Sequence, residues 1–114
     1  MSSTRWVTEM GMGVDVRGDD YTKAACRAVF DAIHHSSLNF FAAAGKQYED
    51  MLIDVHIGVQ QPEAVDRDAV AAELPYGTVT VHVRTGGLDV EQARGAEHGN
   101  LITANAIICV SFAD

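Results

Sequence analysis

TRWVTEMGMGVDVRGDDYTKAACRAVFDAIHHSS, residues 4–37, reads as a strand, a glycine-rich turn and a long amphipathic helix, and every later element supplies partners for that strand and helix. Gly11, Gly13 and Gly18 remove the Cβ penalty where a chain must turn or approach another backbone closely. Asp19 or Asp20 can accept hydrogen bonds from the unpaired N–H groups of the first helical turn. Tyr21, Ala25, Ala28, Val29, Ala32 and Ile33 recur at three- and four-residue spacings and form one apolar stripe. Lys23, Arg27, Asp31 and His34 fall elsewhere on the helix surface.

Around this unit the rest of the chain alternates between strand and helix patterns. The first strand is expected over Thr4 to about Met12, with Trp6 and Met10 on one side and Arg5 and Glu9 on the other. Leu38, Phe40 and Phe41 are expected to fold back over the core after the helix. MLIDVHIGV places Ile53, Val55, Ile57 and Val59 on an aliphatic face, with Asp54 and His56 on the other. A short helix of two or three turns follows Pro62, capped by Asp66 or Asp68 and stopped by Pro75. Val79, Val81 and Val83 alternate with Thr78, Thr80, His82 and Arg84 in the next strand. LDVEQARGAEHGN reads as a long loop or hairpin connection, and the last strand sets Ile102, Ala104, Ala106, Ile108 and Val110 against Thr103, Asn105, Cys109 and Ser111.

The order β-α-β-α-β-β specifies a single α/β domain: a two-layer α+β sandwich with a four-stranded mixed sheet and two helices on one face. Strands joined through a helix run parallel, and the last two strands pair antiparallel. A sheet covered on one side leaves its other face open. That face is expected to carry Arg5, Glu9, Asp54, His56, Thr80, His82, Arg84, Thr103 and Asn105, a mixture unlike the Lys- and Glu-rich pattern of a freely solvated face, so a contact between subunits is expected there.

Composition narrows the partners. In 114 residues, 47% hydrophobic, 16 acidic side chains stand against 8 basic ones, a formal net charge of −8. Nucleic acid and anionic membranes need a basic patch and are excluded as expected partners. Cys26 and Cys109 lack metal-ligand spacing and read as buried free thiols suited to a reducing, cytoplasmic compartment. MSSTRW has neither a signal-peptide run nor a membrane span, so no secretion or membrane insertion is expected. His56 and His82 with Glu9 or Asp54 match zinc chemistry by residue type, but no ligand spacing supports a metal site, and no cofactor is expected. His34-His35 suits a helix C-terminus, where imidazole meets the macrodipole. His98 carries no signal.

EMGMGVDVRGDDYTKAACRAVFDAIHHSSL resembles the corresponding segment of the C-terminal domain of FtsZ and the tubulins, which implies that fold, of a chorismate-mutase-like kind. No phosphate loop is present to imply GTPase activity. More closely, GMGVDVRGDDYTKAACRAV, HIGV followed by Pro62-Glu63, LPYG at Leu74–Gly77 and TANA at Thr103–Ala106 resemble a Lin-type family of small conserved hypothetical proteins, which carries no established activity. The chain is also similar to one repeat of the ring-opening amidohydrolases, of the cyanuric acid hydrolase type, through Thr8-Glu9-Met10-Gly11 and Thr85-Gly86-Gly87. Val7 and Thr85 stand where that family has its catalytic lysine and its serine nucleophile, so the resemblance carries over no Ser–Lys dyad and leaves amidohydrolase-like hydrolysis of a cyclic amide as a further alternative function, with Thr85 and Gly86 in the expected ligand-binding set.

Two functions follow as expectations. In the first, a small anionic metabolite binds or reacts at a subunit-interface site, with His56, His82 and Glu9 as the catalytic set and Asp54, Arg84, Thr85, Gly86 and Asn105 holding the ligand. In the second, the chain is a non-catalytic assembly module of the tubulin C-terminal type. Either way it should be a homo-oligomer, a trimer or larger ring, because open sheet edges are best protected by neighbours.

Overall fold

The computed structural model describes residues 2–34, 45–93 and 99–114; Leu38, Phe40, Phe41, His35 and His98 lie outside them. Among the described residues the chain forms β1 (Ser3–Asp15), α1 (Tyr21–His34), β2 (Leu52–Val59), α2 (Arg67–Ala71), β3 (Thr78–Thr85), β4 (Leu88–Glu91) and β5 (Asn100–Ala113). This is the expected α/β sandwich, with one more strand than expected. Leu88–Glu91, read as loop, pairs antiparallel with β5. A four-residue strand with two acidic side chains shows too little alternation to declare itself.

The sheet order is β1-β5-β2-β3, with β4 beside β5 beyond the end of β2. β5 is therefore central. It pairs antiparallel with β1, β2 and β4, and not with β3, which lies parallel to β2 at the edge. This corrects the expected pairing of the last two strands: β5, at 14 residues, is long enough to serve β2 and β4 in line along one side.

β1 continues to Asp15, so Gly11 and Gly13 are strand residues rather than turn residues. They make the close approach of α1 possible. A Cβ on Gly13 would stand 2.2 Å from the Ala24 carbonyl oxygen and 2.3 Å from the Ala28 nitrogen, and one on Gly11 2.4 Å from the Ala32 nitrogen. Tyr21, Ala24, Ala25, Ala28, Val29 and Ala32 are buried, as the stripe required, with Ala24 added. They meet Ile53, Val55, Ile57 and Val59 of β2 and the even-numbered residues of β5 in one core, which Val70 of α2 joins and Val79, Val81 and Val83 border.

The true turn is Val16–Asp20. Gly18 has φ 86° and Asp19 φ 50°, a left-handed pair that reverses the chain. Asp15, 2% exposed, accepts the Asp20 N–H at 3.0 Å and has Lys23 Nζ at 3.9 Å and Arg27 Nη1 at 3.8 Å. Asp20 accepts the Lys23 N–H at 2.9 Å and is the cap. Asp66 caps α2 through the N–H groups of Asp68 and Ala69. At five residues α2 is shorter than expected, its chain leaving through a turn before Pro75.

Two substitutions test this packing. Gly13→Ala drives a methyl into the backbone of α1 and should cost about 3 kcal/mol, at the upper end of the usual overpacking penalty, measured by urea unfolding; a loss below about 1 kcal/mol would show that the helix can move away freely. The buried Tyr21 hydroxyl donates to Asp89, whose other oxygen is buried without a partner among the described residues. Tyr21→Phe should therefore cost about 1–3 kcal/mol. Burial, and then the Asp89 hydrogen bond and charge, push the Tyr21 phenol from 10.0 up to about 12. A pKa raised on folding gives stability that is complete below the unfolded value and lost as pH climbs through the folded one, so the wild type should lose this contribution between about pH 10 and 12 and Tyr21→Phe should lack that part of the decline.

Candidate functional site

Register places the open face in rows that can be read from strand to strand. One row runs Met10, Ile107, His56, His82, and the next runs Met12, Asn105, Gly58, Arg84. On the far side of the first lies Thr8, Cys109, Asp54, Thr80. Beyond the second lies Val14, Thr103, Leu88. Gly58 has no side chain, so its row holds a gap between Arg84 and Asn105. The gap is a cleft of about 330 Å³ lined by His56, Gly58, Arg84, Thr85, Gly86, Asn105 and Ile107.

Glycine also fixes the cleft's end. A Cβ on Gly86 would stand 3.0 Å from the Gly58 Cα, so the turn after β3 rests on the backbone of β2. The Gly86 N–H donates to the Val59 carbonyl at 2.9 Å, and Gln60 Nε2 donates to the carbonyls of Gly86 at 3.0 Å and Gly87 at 3.3 Å. Gly87 completes the turn at φ 63°.

His56 and His82 face each other across the parallel pair β2 and β3. Their rings stack at 4.8 Å between centroids and 16° between planes. His82 Nε2 and Asp54 Oδ1 are 2.8 Å apart, so that the imidazole N–H donates to the carboxylate. Both side chains are nearly half exposed, and such a pair contributes little to stability. Its effect is positional: Asp54 holds the His82 ring, and the His82 ring supports one side of His56. Only His56 of the two lines the cleft. Arg84 is exposed and has no ion-pair partner among the described residues.

Of the residues expected to act together, His56, Arg84, Thr85, Gly86 and Asn105 surround the cleft, while His82 shares the row of His56 outside the cleft lining and Asp54 lies in the row beyond it. Glu9 is on the other side of the sheet. It pairs with Ile108, a core residue 2% exposed, because the register shifts between Arg5 and Val7 and exchanges the faces of β1 after that point. Trp6 and Met10 are separated for the same reason: Trp6 packs edge-on against buried Phe112, and Met10 lies on the open face. The face is thus less polar than expected, carrying Met10, Met12, Val14 and Ile107 beside its histidines. Gly58 and Gln60 were not singled out from the sequence, although a glycine at an outward position of a β-branched strand is a signal for a gap.

Two other features are less suited to chemistry. An apolar pocket of about 430 Å³ lies among Ile33, Tyr48, Met51, Ile53, Leu74 and Tyr76. Its imidazole, His34, has Nδ1 engaged at 3.0 Å with the Phe30 carbonyl at the helix end, the structural role expected of it. Cys109 is buried and Cys26 half-buried. Burial, and then the neighbouring Glu73 charge, push the Cys26 thiol up to about 11, so it is no nucleophile at neutral pH. No described helix is long and apolar enough to cross a membrane.

Residues 5–110 match the model of a family described as conserved hypothetical protein, Lin0512. A crystal structure of an FtsZ-like protein of unknown function from Nostoc punctiforme superposes with a TM-score of 0.89 at 34% identity, covering 100% of this chain and 99% of that one. No curated protein matches the sequence.

Because the imidazoles stand on the exposed side of the sheet, His56→Ala and His82→Ala should each cost less than about 1 kcal/mol of stability in urea unfolding. A loss of about 2 kcal/mol or more would place the truncated ring in a buried contact.

Proposed function

We propose that this chain, which belongs to the Lin0512 family of conserved hypothetical proteins, binds a small anionic metabolite in the Gly58 cleft, at a site on the open sheet face where subunits of a homo-oligomer meet. The observation that carries this reading is the missing side chain at Gly58 between Arg84 and Asn105, with His56 in the adjacent row. A guanidinium with no ion-pair partner among the described residues, beside a cleft in a chain of net charge −8, is an unusual expense of positive charge unless it receives an anion.

The parts have separable roles. Arg84 offers a fork of donors to a carboxylate or phosphate, and Asn105 offers both a donor and an acceptor to a second polar group. His56 is placed to give or take a proton from a ligand so held, which would make the protein an enzyme of acid–base type. His82 and Asp54 act as positioning residues through the stacked ring.

The apolar stripe beside the cleft favours a second reading, a non-catalytic assembly module, and the likeness to a protein titled FtsZ-like is consistent with it. Amide hydrolysis has weaker support. Thr85 lines the cleft, but Lys23 lies near Asp15 and Lys46 lies over the Trp6 ring at 5.4 Å, so neither is placed to activate it.

Thermal shift with inorganic phosphate, succinate and benzoate tests the binding. At roughly a hundred times Kd a ligand stabilises by about 2.7 kcal/mol, and Arg84→Ala should weaken the binding of whichever anion raises the melting temperature by about 10-fold or more. Equal anion responses in wild type and Arg84→Ala would sink the reading. His56→Ala should retain binding and lose any turnover found.

A further inference from the structure

We infer that the apolar half of the open sheet face is a self-association surface, on which a second copy of this chain lies sheet against sheet about a two-fold axis. Met10, Met12 and Val14 of β1 are 66%, 55% and 41% exposed, Ile107 and Leu101 of β5 42% and 38%, and Leu88 of β4 58%. Register makes them continuous, since Met10 adjoins Ile107, Met12 adjoins Asn105, Val14 adjoins Thr103, and Thr103 adjoins Leu88. None of these positions carries a charge. Single exposed apolar side chains are ordinary, but a connected group of this kind on one sheet face marks an interaction surface.

Charge and area select a second copy as the occupant. Two chains of net charge −8 repel over most of their surfaces and can approach closely only where charge is absent, which describes these rows. The open face spans strands of 13, 14, 8, 8 and 4 residues. At strand dimensions that is about 750 Å² of projected surface for the whole face, of which the apolar rows are about half, so a pair approaches the roughly 800 Å² per partner of a stable interface only when the partner sheet also covers the cleft rows. A patch that meets itself gives an isologous two-fold pair, a smaller assembly than the trimer or ring expected from the sheet edges.

Ile107 belongs to both the stripe and the cleft wall. A partner sheet stacked about 10 Å above would therefore roof the Gly58 cleft as it covers the stripe. This names the contact left unspecified by the proposed subunit-interface site, and it stands or falls without the anion.

Light scattering on the full chain at about 100 µM, well above a micromolar dissociation constant, should give twice the 12.3 kDa chain mass. Met12→Lys and Ile107→Asp should give one chain mass with unchanged far-UV circular dichroism. Met12 is on an edge strand, so its variant keeps the test open if Ile107→Asp fails to fold. Phe30→Lys, on the exposed side of α1, should remain a pair. A monomeric wild type, a wild type of three or more chains, or a folded Met12→Lys variant that stays paired overturns the inference. Phosphate or succinate binding that depends on Arg84 in a monomeric wild type would overturn this pairing and leave the cleft reading intact, whereas a pair that Met12→Lys dissociates, with no Arg84-dependent binding, would do the reverse.

Discussion

The contact between the bare backbone of β1 at Gly11 and Gly13 and the alanines of α1 governs the remainder of the structure. Ala24, Ala28 and Ala32 recur every four residues, so they stand one above another on the helix and form a smooth ridge. With no Cβ on the facing strand, that ridge meets peptide groups directly, and the 2.2 Å separation between a hypothetical Gly13 Cβ and the Ala24 oxygen measures how little room remains. Close packing of this kind gains dispersion energy over many atom pairs and tolerates no added methyl. It also fixes where α1 must start, which is why the turn before it is held by a buried carboxylate, Asp15, and capped by Asp20.

A consequence follows for the opposite face. A strand whose inward positions over Gly11–Asp15 include two glycines contributes little side-chain volume to the core, and its large residues there, Met12 and Val14, with Met10 before them, all point outward. The tight helix contact and the exposed apolar stripe are thus two results of one sequence choice. The same device is used at the far side of the sheet, where Gly58 and Gly86 bring the turn after β3 against β2 and leave the cleft open between Arg84 and Asn105.

Much of this was legible in residues 4–37 and in the alternating strands. The helix stripe, both caps and the inward valines and isoleucines depend on local periodicity, which a sequence displays directly. Strand order is different, because it depends on pairings between distant segments: nothing local in NLITANAIICVSF states that this strand lies between β1 and β2. Glu9 was misplaced by a single register shift near Trp6, since one extra residue exchanges every later side chain between faces. Gly11 and Gly13 were noticed, but a glycine that turns the chain and a glycine that admits a helix look alike in sequence. Most of the cleft could be read because His56, Arg84 and Asn105 share outward parity. Its cause, Gly58, was overlooked because an absent side chain draws attention only when its neighbours are known.

The acidic balance of the chain does not oppose an anion at Arg84. At physiological ionic strength charges are screened over about 8 Å, so a small ligand in the cleft responds chiefly to the groups that line it. Those include one guanidinium, one carboxamide and one imidazole, with the Asp54 carboxylate one row away and directed to His82. The His82 ring contacts both, stacking on His56 and meeting the carboxylate through Nε2, so the Asp54–His82 pair supports His56 while Asp54 itself is not part of the cleft lining. Moving Asp54 one row along β2, into the place of His56, would put negative charge beside Arg84 and fill the site internally. Its present position keeps this carboxylate on His82 rather than beside Arg84, and the proposed anion site depends on that separation.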